Sequence, residues 1–248
     1  MTGSFEALVA EGDGVPLDGW DFSWFAGRAT EQRPSWGYAL LVADRLGAST
    51  AALDIQTGGG EVFAFALGRA GGAGGAGGVG AEGVGAADGT RGVSPGGGAG
   101  RAPGSVAATE PWWPNAGRAA RVLALFGGAV AHVGNWDGLP FREGAFDLVV
   151  SRHPVVTDWP EVARVLAPGG AYLSQQVGAG SNRGLTDFLM GPQPVNQDRS
   201  ADRLAAAATA AGLTVQRLAE ESLDVAFFDI GARALSAQGV LDGSRLRC

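Results

Sequence analysis

Asp54 lies near the end of an apolar run, Ala51-Ala52-Leu53-Asp54-Ile55, and Gln56-Thr57-Gly58-Gly59-Gly60 follow it. A strand containing an acid, then a glycine loop, then a helix-like segment from about Gly60 to Leu67 is the order in which α/β proteins hold nucleotide-like ligands. A carboxylate inside such a turn repels phosphate, so the pattern points to a nucleoside-like ligand that is not gripped by a phosphate. A dinucleotide loop would need Gly-x-Gly-x-x-Gly. Here Phe63 takes the third position, where glycine permits close helix–strand contact. A phosphate loop would need a lysine followed by Ser or Thr, and none is present.

Other chemistry-bearing residues recur at the ends of expected strands. Glu110 closes a short strand over Ser105 to Thr109, and a carboxylate there can accept two hydroxyls at once. Asn135, Trp136 and Asp137 follow a strand over Val130 to Val133. Ser151, Arg152 and His153 follow the apolar strand Phe146 to Val150. His153 is the candidate general base, because an unperturbed imidazole titrates near about 6.5. The alternative is a structural histidine before Pro154. Arg152 is a candidate for a substrate carboxylate, with a solvent-facing side chain as the simpler reading. Gln175, Gln176, Phe188 and Met190 are candidates for an acceptor pocket. Trp20, Phe22, Trp24, Phe25 and Trp36 form either a lid or core anchors, with Arg28 and Arg33 beside them. Cys248 is the single cysteine and His132 and His153 the only histidines, which excludes a cysteine cluster or multi-histidine metal site. No metal is expected.

The elements that must position these groups alternate. A helix is expected over Pro34 to Gly47, with Trp36, Ala39, Leu40, Ala43 and Leu46 at helical spacing. The strand Thr50 to Ile55 and the helix to Leu67 follow. Gly68 to Gly104 holds 17 glycines in 37 residues and almost nothing bulky, so it is expected to be a flexible insert. A helix is expected over Asn115 to Phe126, capped by Asn115 and stopped by Gly127. Asp158-Trp159-Pro160-Glu161 opens another, with Asp158 as cap. Pro168-Gly169-Gly170 turns it into a strand over Ala171 to Val177. A short helix near Arg183 to Leu189, a helix over Ser200 to Ala211, a strand over Leu213 to Leu218 and a last strand over Asp224 to Ile230 complete the reading. The fold class is α/β: a Rossmann-like, doubly wound, mainly parallel sheet of six to seven strands. The expected organisation is a loose tail over residues 1–19, one domain over 20–230 with the insert at 69–104, and an irregular tail over 231–248.

With 248 residues and 46% hydrophobic content the chain can bury a sizeable core. A net charge of −7 disfavours general nucleic-acid binding, which requires Lys and Arg against phosphate. No apolar run reaches the ~18 residues of a membrane span, and Met1 to Ala10 lacks the pattern of a signal peptide. The expectation is a cytoplasmic protein with a small-molecule partner and neither a membrane nor a nucleic acid.

Four stretches, taken together and in order, resemble the class I S-adenosylmethionine-dependent methyltransferases, particularly the methyltransferase type 11 group, over roughly residues 35–218. They are Leu53 to Gly60; Glu110; Asn135 to Phe141 with Phe146 to Val150; and Glu161 to Gly170. The resemblance implies S-adenosyl-L-methionine as cofactor. It implies that Gln56, Thr57, Gly58, Gly59 and Gly60 receive the methionine part, with Asp54 accepting from its ammonium. It implies Glu110 on the ribose hydroxyls, and Asn135, the backbone N–H of Trp136, and Asp137 at the adenine. The activity implied is methyl transfer to a small molecule by in-line displacement at the methyl carbon, where alignment and water exclusion supply most of the rate. The sequence departs from the family at Gln56, where glycine is usual, at Asn135, where an acid is usual, and in its last strand. A non-catalytic or regulatory binder on the same fold is the alternative. A nicotinamide oxidoreductase and a nucleic-acid methyltransferase are opposed by Phe63 and by the charge, respectively.

Overall fold

The computed structural model describes residues 4–15, 23–72 and 102–228. Most of the glycine-rich insert, Trp20, Phe22, Cys248 and the tail from residue 229 lie outside the described residues. In chain order the elements are helix α1 (Phe5–Asp13), strand β1 (Ala29–Glu31), α2 (Tyr38–Leu46), β2 (Ala51–Ile55), α3 (Glu61–Ala70), β3 (Ser105–Glu110), α4 (Trp113–Leu123), β4 (Ala129–His132), β5 (Phe146–Arg152), α5 (Trp159–Val165), β6 (Leu166–Gln175), α6 (Arg183–Met190), α7 (Ala201–Ala210) and β7 (Val225–Phe227). They form two compact units, one of residues 36–175 and one made from residues 1–35 with 176–248.

The first of these holds a five-stranded sheet in the order β4-β3-β2-β5-β6, all parallel. The order reverses between β2 and β5, which makes their carboxyl ends the switch point of a doubly wound sheet. Strand alternation sends Ala52 and Asp54 to one face and Leu53 and Ile55 to the other. Ala52 packs with Val42 and Leu46 of α2 and with Phe63 and Leu67 of α3. Full burial of each such large side chain contributes about 1.5–3 kcal/mol. Gly60 starts α3 at φ +83°, and a Cβ there would stand 3.1 Å from Ala119 Cα, so glycine allows α3 and α4 their close approach. At the opposite end of the sheet, Asp147 accepts from the Thr50 N–H and hydroxyl and from the Ala51 N–H, pinning β2 to β5.

The other unit pairs β1 with β7 antiparallel, Ala29 opposite Phe227. Trp24 meets Phe25 edge to face, and the Arg28 guanidinium lies 4.2 Å over Trp24 while bonding Glu11.

Several expectations are corrected. The α/β, mainly parallel class holds, but among the described residues the main sheet has five strands, the other two forming a separate antiparallel pair, so the six to seven expected do not share one sheet. Leu213 to Leu218 is not a strand, and the last strand pairs with β1 instead of extending the main sheet. Residues 5–13, expected to be loose, form a helix whose Ala7 N–H is capped by the Ser4 hydroxyl. Helix α4 starts at Trp113, so Asn115 lies inside the helix and Trp112 holds the cap position. Pro168 to Gly170 lies within β6, where the register against β5 slips. In α2 the buried stripe is Tyr38, Val42, Ala43 and Leu46, and Leu40 is exposed.

Candidate functional site

Asp54, Gln56, Glu110, Asn135 and His153 lie at or just beyond the carboxyl ends of strands of the main sheet, whereas Gln176, Phe188 and Met190, expected in an acceptor pocket, belong to the other unit. Asp54 is buried, and its Oδ2 accepts from the Thr57 hydroxyl at 2.6 Å. Burial pushes its carboxyl up to about 7; the Thr57 bond partly offsets this and the neighbouring Glu110 charge adds to it. Glu110, at the tip of β3, is buried too. Its Oε2 accepts from the Gly58 N–H at 2.8 Å and its Oε1 from the Trp112 N–H at 3.1 Å. Burial raises this carboxyl as well, while the hydrogen bonds from Trp112 and Gly58 restrain the rise. Gly58 sits at φ +63°. The glycine loop is therefore tied to two carboxylates from neighbouring strands.

A small, partly open cleft lies on the Ile55 face of the sheet. Its wall includes Gln56, Thr109, Asn135, Asp137, Ser151 and Tyr172. Of the expected residues, Gln56, Asn135, Asp137 and Ser151 belong to this wall. Asp54, Thr57, Gly58, Gly59, Gly60, Glu110, Trp136 and His153 do not. Alternation explains Asp54, which points to the opposite face from Ile55. Trp136 is 84% exposed. Asp137 turns back on its own loop, its Oδ2 accepting from the Gly134 N–H at 3.1 Å.

Gln56 adopts φ +57°, a left-handed conformation that favours glycine. Its side chain reaches the loop after β5: Nε2 donates to the Val156 carbonyl at 2.7 Å and Oε1 accepts from the Val155 N–H at 2.6 Å.

His153 is not the near-neutral base that its residue type suggests. Burial, with the Arg152 charge beside it, lowers its pKa to about 4. The Trp36 indole N–H donates to Gln175 Oε1 at 3.1 Å, which leaves the Gln175 NH₂ to donate to His153 Nε2 at 2.8 Å. The ring is thus a neutral acceptor at pH 7. Gln175, expected in an acceptor pocket, is buried and engaged in this relay.

Thr109 and Arg164 escaped the sequence reading as contributors, as did the partners of Ser151 and Glu161. Thr109 Oγ1 accepts from the Gln56 N–H at 3.3 Å. Buried Ser151 shares hydrogen bonds with Tyr172 at 2.6 Å and Ser174 at 3.0 Å. Glu161 and Arg164 pair across one turn of α5 and together staple the loop from Asn135: Glu161 Oε2 accepts from the Leu139 N–H at 2.6 Å, while Arg164 donates to the carbonyls of Phe141 and Leu139. The spacing of Glu161 and Arg164 was a usable signal for their pairing, though not for the loop they hold. Among the described residues no group of three or more His, Cys, Asp or Glu could hold a metal ion, and no helix is long and apolar enough to cross a membrane.

No family model matches the sequence, and no curated protein matches it. Solved structures similar to this chain include methyltransferases. A candidate sarcosine dimethylglycine methyltransferase from Galdieria sulphuraria is 14% identical, with a TM-score of 0.47 over 72% of this chain and 62% of the other. A geranyl diphosphate C-methyltransferase from Streptomyces coelicolor A3(2) is 15% identical, with a TM-score of 0.44 over 70% of this chain and 57% of the other. A SAM-dependent methyltransferase from Aquifex aeolicus is 14% identical, with a TM-score of 0.44 over 87% and 92%. The chain thus spans less than two thirds of the length of the first two. At these values the likeness carries no argument about activity.

Proposed function

We propose that residues 36–175 bind S-adenosyl-L-methionine across the carboxyl ends of β2, β3 and β4, and that the protein transfers its methyl group to a small-molecule acceptor. The observation that carries this reading is the 2.8 Å bond from the Gly58 N–H to Glu110 Oε2. It joins the acid ending β3 to the glycine loop ending β2, beside the point where the sheet order reverses.

The donor set fits such a ligand. Gly58 and Gly60, both at positive φ, present backbone without side chains. Asp54 and Glu110 suit a ligand with a cation at one end and a diol in the middle. Each Glu110 oxygen accepts one N–H and retains a lone pair for a ribose hydroxyl. On this reading Gln56, Thr57 and Gly58 to Gly60 line the methionine end, Asp54 accepts from the ammonium, and Asn135, the Trp136 N–H and Asp137 serve the adenine end. The bound donor supplies a methyl group already activated by its sulfonium. The chain aligns the acceptor and excludes water, and His153 serves as a fixed hydrogen-bond acceptor and not as a base.

Calorimetry with S-adenosylmethionine and its demethylated product tests the proposal. Binding by the unaltered chain and at least tenfold weaker binding by Glu110→Gln are expected. No heat with either ligand, from protein shown to be folded, overturns it. The Gln56 bonds across the mouth of the sheet favour one second reading, a protein that binds the donor without transferring its methyl. Labelled methyl transfer to a metabolite extract separates the two.

A further inference from the structure

Three non-glycine residues among those described have positive φ, and two of them flank one junction. Gln56 (φ 57°) follows β2 and His153 (φ 53°) follows β5, its neighbour in the sheet. Such conformations persist only where surrounding contacts impose them. Both contact sets act on the same short segment. At its start, the His153 N–H donates to the Gln175 carbonyl at 2.7 Å, and His153 Nε2 accepts from the Gln175 amide at 2.8 Å. Further on, the Gln56 amide accepts from the Val155 N–H and donates to the Val156 carbonyl. Pro154, Val156 and Thr157 between and beyond these anchors line the cavity, as does Gln56 itself. Val155 is 46% exposed, so its own side chain does little to fix the middle of the segment, which is flanked by buried Pro154 and by Thr157, hydrogen-bonded to Tyr172.

We propose that Gln56 is a positioning residue: its amide holds Pro154–Thr157 in place as part of the cavity wall to which the Asn135 loop also contributes. The chemistry demands a primary amide of this length. One end must donate to a carbonyl while the other accepts from an N–H. Glycine would relieve the left-handed φ but supply neither bond, and asparagine, which tolerates that φ, is one methylene too short to make both. The identity of the ligand rests on the methyl-donor reading above; the tether does not.

Amide hydrogen exchange on the ligand-free protein tests the tether. In Gln56→Gly and Gln56→Asn, the Val155 amide is expected to exchange at least tenfold faster, with Leu53 and Val149 of the central strands unchanged. Unchanged exchange at Val155 in both variants overturns the proposal. Calorimetry with the demethylated donor tests the positioning role, and at least tenfold weaker binding by both variants is expected. Faster exchange with unchanged affinity makes the tether merely structural and overturns that role. Tighter binding by Gln56→Gly makes Gln56 an obstruction and overturns it equally. If the unaltered chain itself does not bind, the methyl-donor reading fails and exchange at Val155 alone decides the tether.

Discussion

Replacing Asp54 with asparagine is expected to stabilise the ligand-free protein, and to do so increasingly as pH rises. The carboxyl titrates at 3.8 in an unstructured chain and at about 7 in the fold, chiefly because burial penalises its charge. Between those values the folded state holds a proton that the unfolded chain has released, so stability falls as pH rises through that window and levels off above about 7. At about 1.4 kcal/mol per pH unit, the shift amounts to roughly 4 kcal/mol of lost stability above neutrality. Asparagine keeps an oxygen for the Thr57 hydroxyl, 2.6 Å away, and has no charge to bury. Its NH₂ group subtracts an amount that does not depend on pH. The slope is therefore diagnostic: the advantage of Asp54→Asn should grow by about 2 kcal/mol between pH 5.5 and 8.5. Urea denaturation of both proteins without ligand at pH 5.5, 7.0 and 8.5 measures it. Parallel stability profiles for the two proteins would refute the assignment of a buried, strained carboxylate. A loss of donor binding alongside the gain in stability would give the residue a functional reason for its charge.

Two further outcomes follow from the geometry. Gly60→Ala places a Cβ 3.1 Å from Ala119 Cα at φ +83°, and should cost about 1–3 kcal/mol; thermal unfolding within one degree of the unaltered protein would contradict this. The His153 ring should titrate near pH 4 by NMR, and a midpoint near 6.5 would show that burial and the Arg152 charge do not hold it neutral.

The parallel sheet was legible because its signals are local. Apolar runs bounded by glycine mark β2, β3 and β5, and Asp158 caps α5 as its sequence suggests, accepting from the Glu161 N–H. The glycine loop and Glu110 were legible as strand ends, and the structure joins them through one hydrogen bond. Long-range facts were not legible. Leu213 to Leu218 has strand-like composition, but a strand requires a partner, and pairing is decided elsewhere in the chain. His153 looked like a base because its residue type carries a default pKa; its burial and its bond to Gln175 depend on β6, more than twenty residues later. Gln56 could be marked as unusual from its position, but not its partners, since Val155 and Val156 lie about a hundred residues away.

The ladder between β1 and β7 bears on the order in which the protein folds. It joins Ala29–Glu31 to Val225–Phe227, about two hundred residues apart, through three residue pairs. Closing so long a loop costs entropy before any contact offsets it, and three pairs are too few to start that closure. The strands of residues 51–175 pair with partners much nearer in sequence. That region is therefore expected to fold first, since all of it is synthesised before Val225. Ala29–Glu31 is made before that region yet must wait for Val225–Phe227, which is made after it, so this strand is expected to pair later than strands synthesised after it.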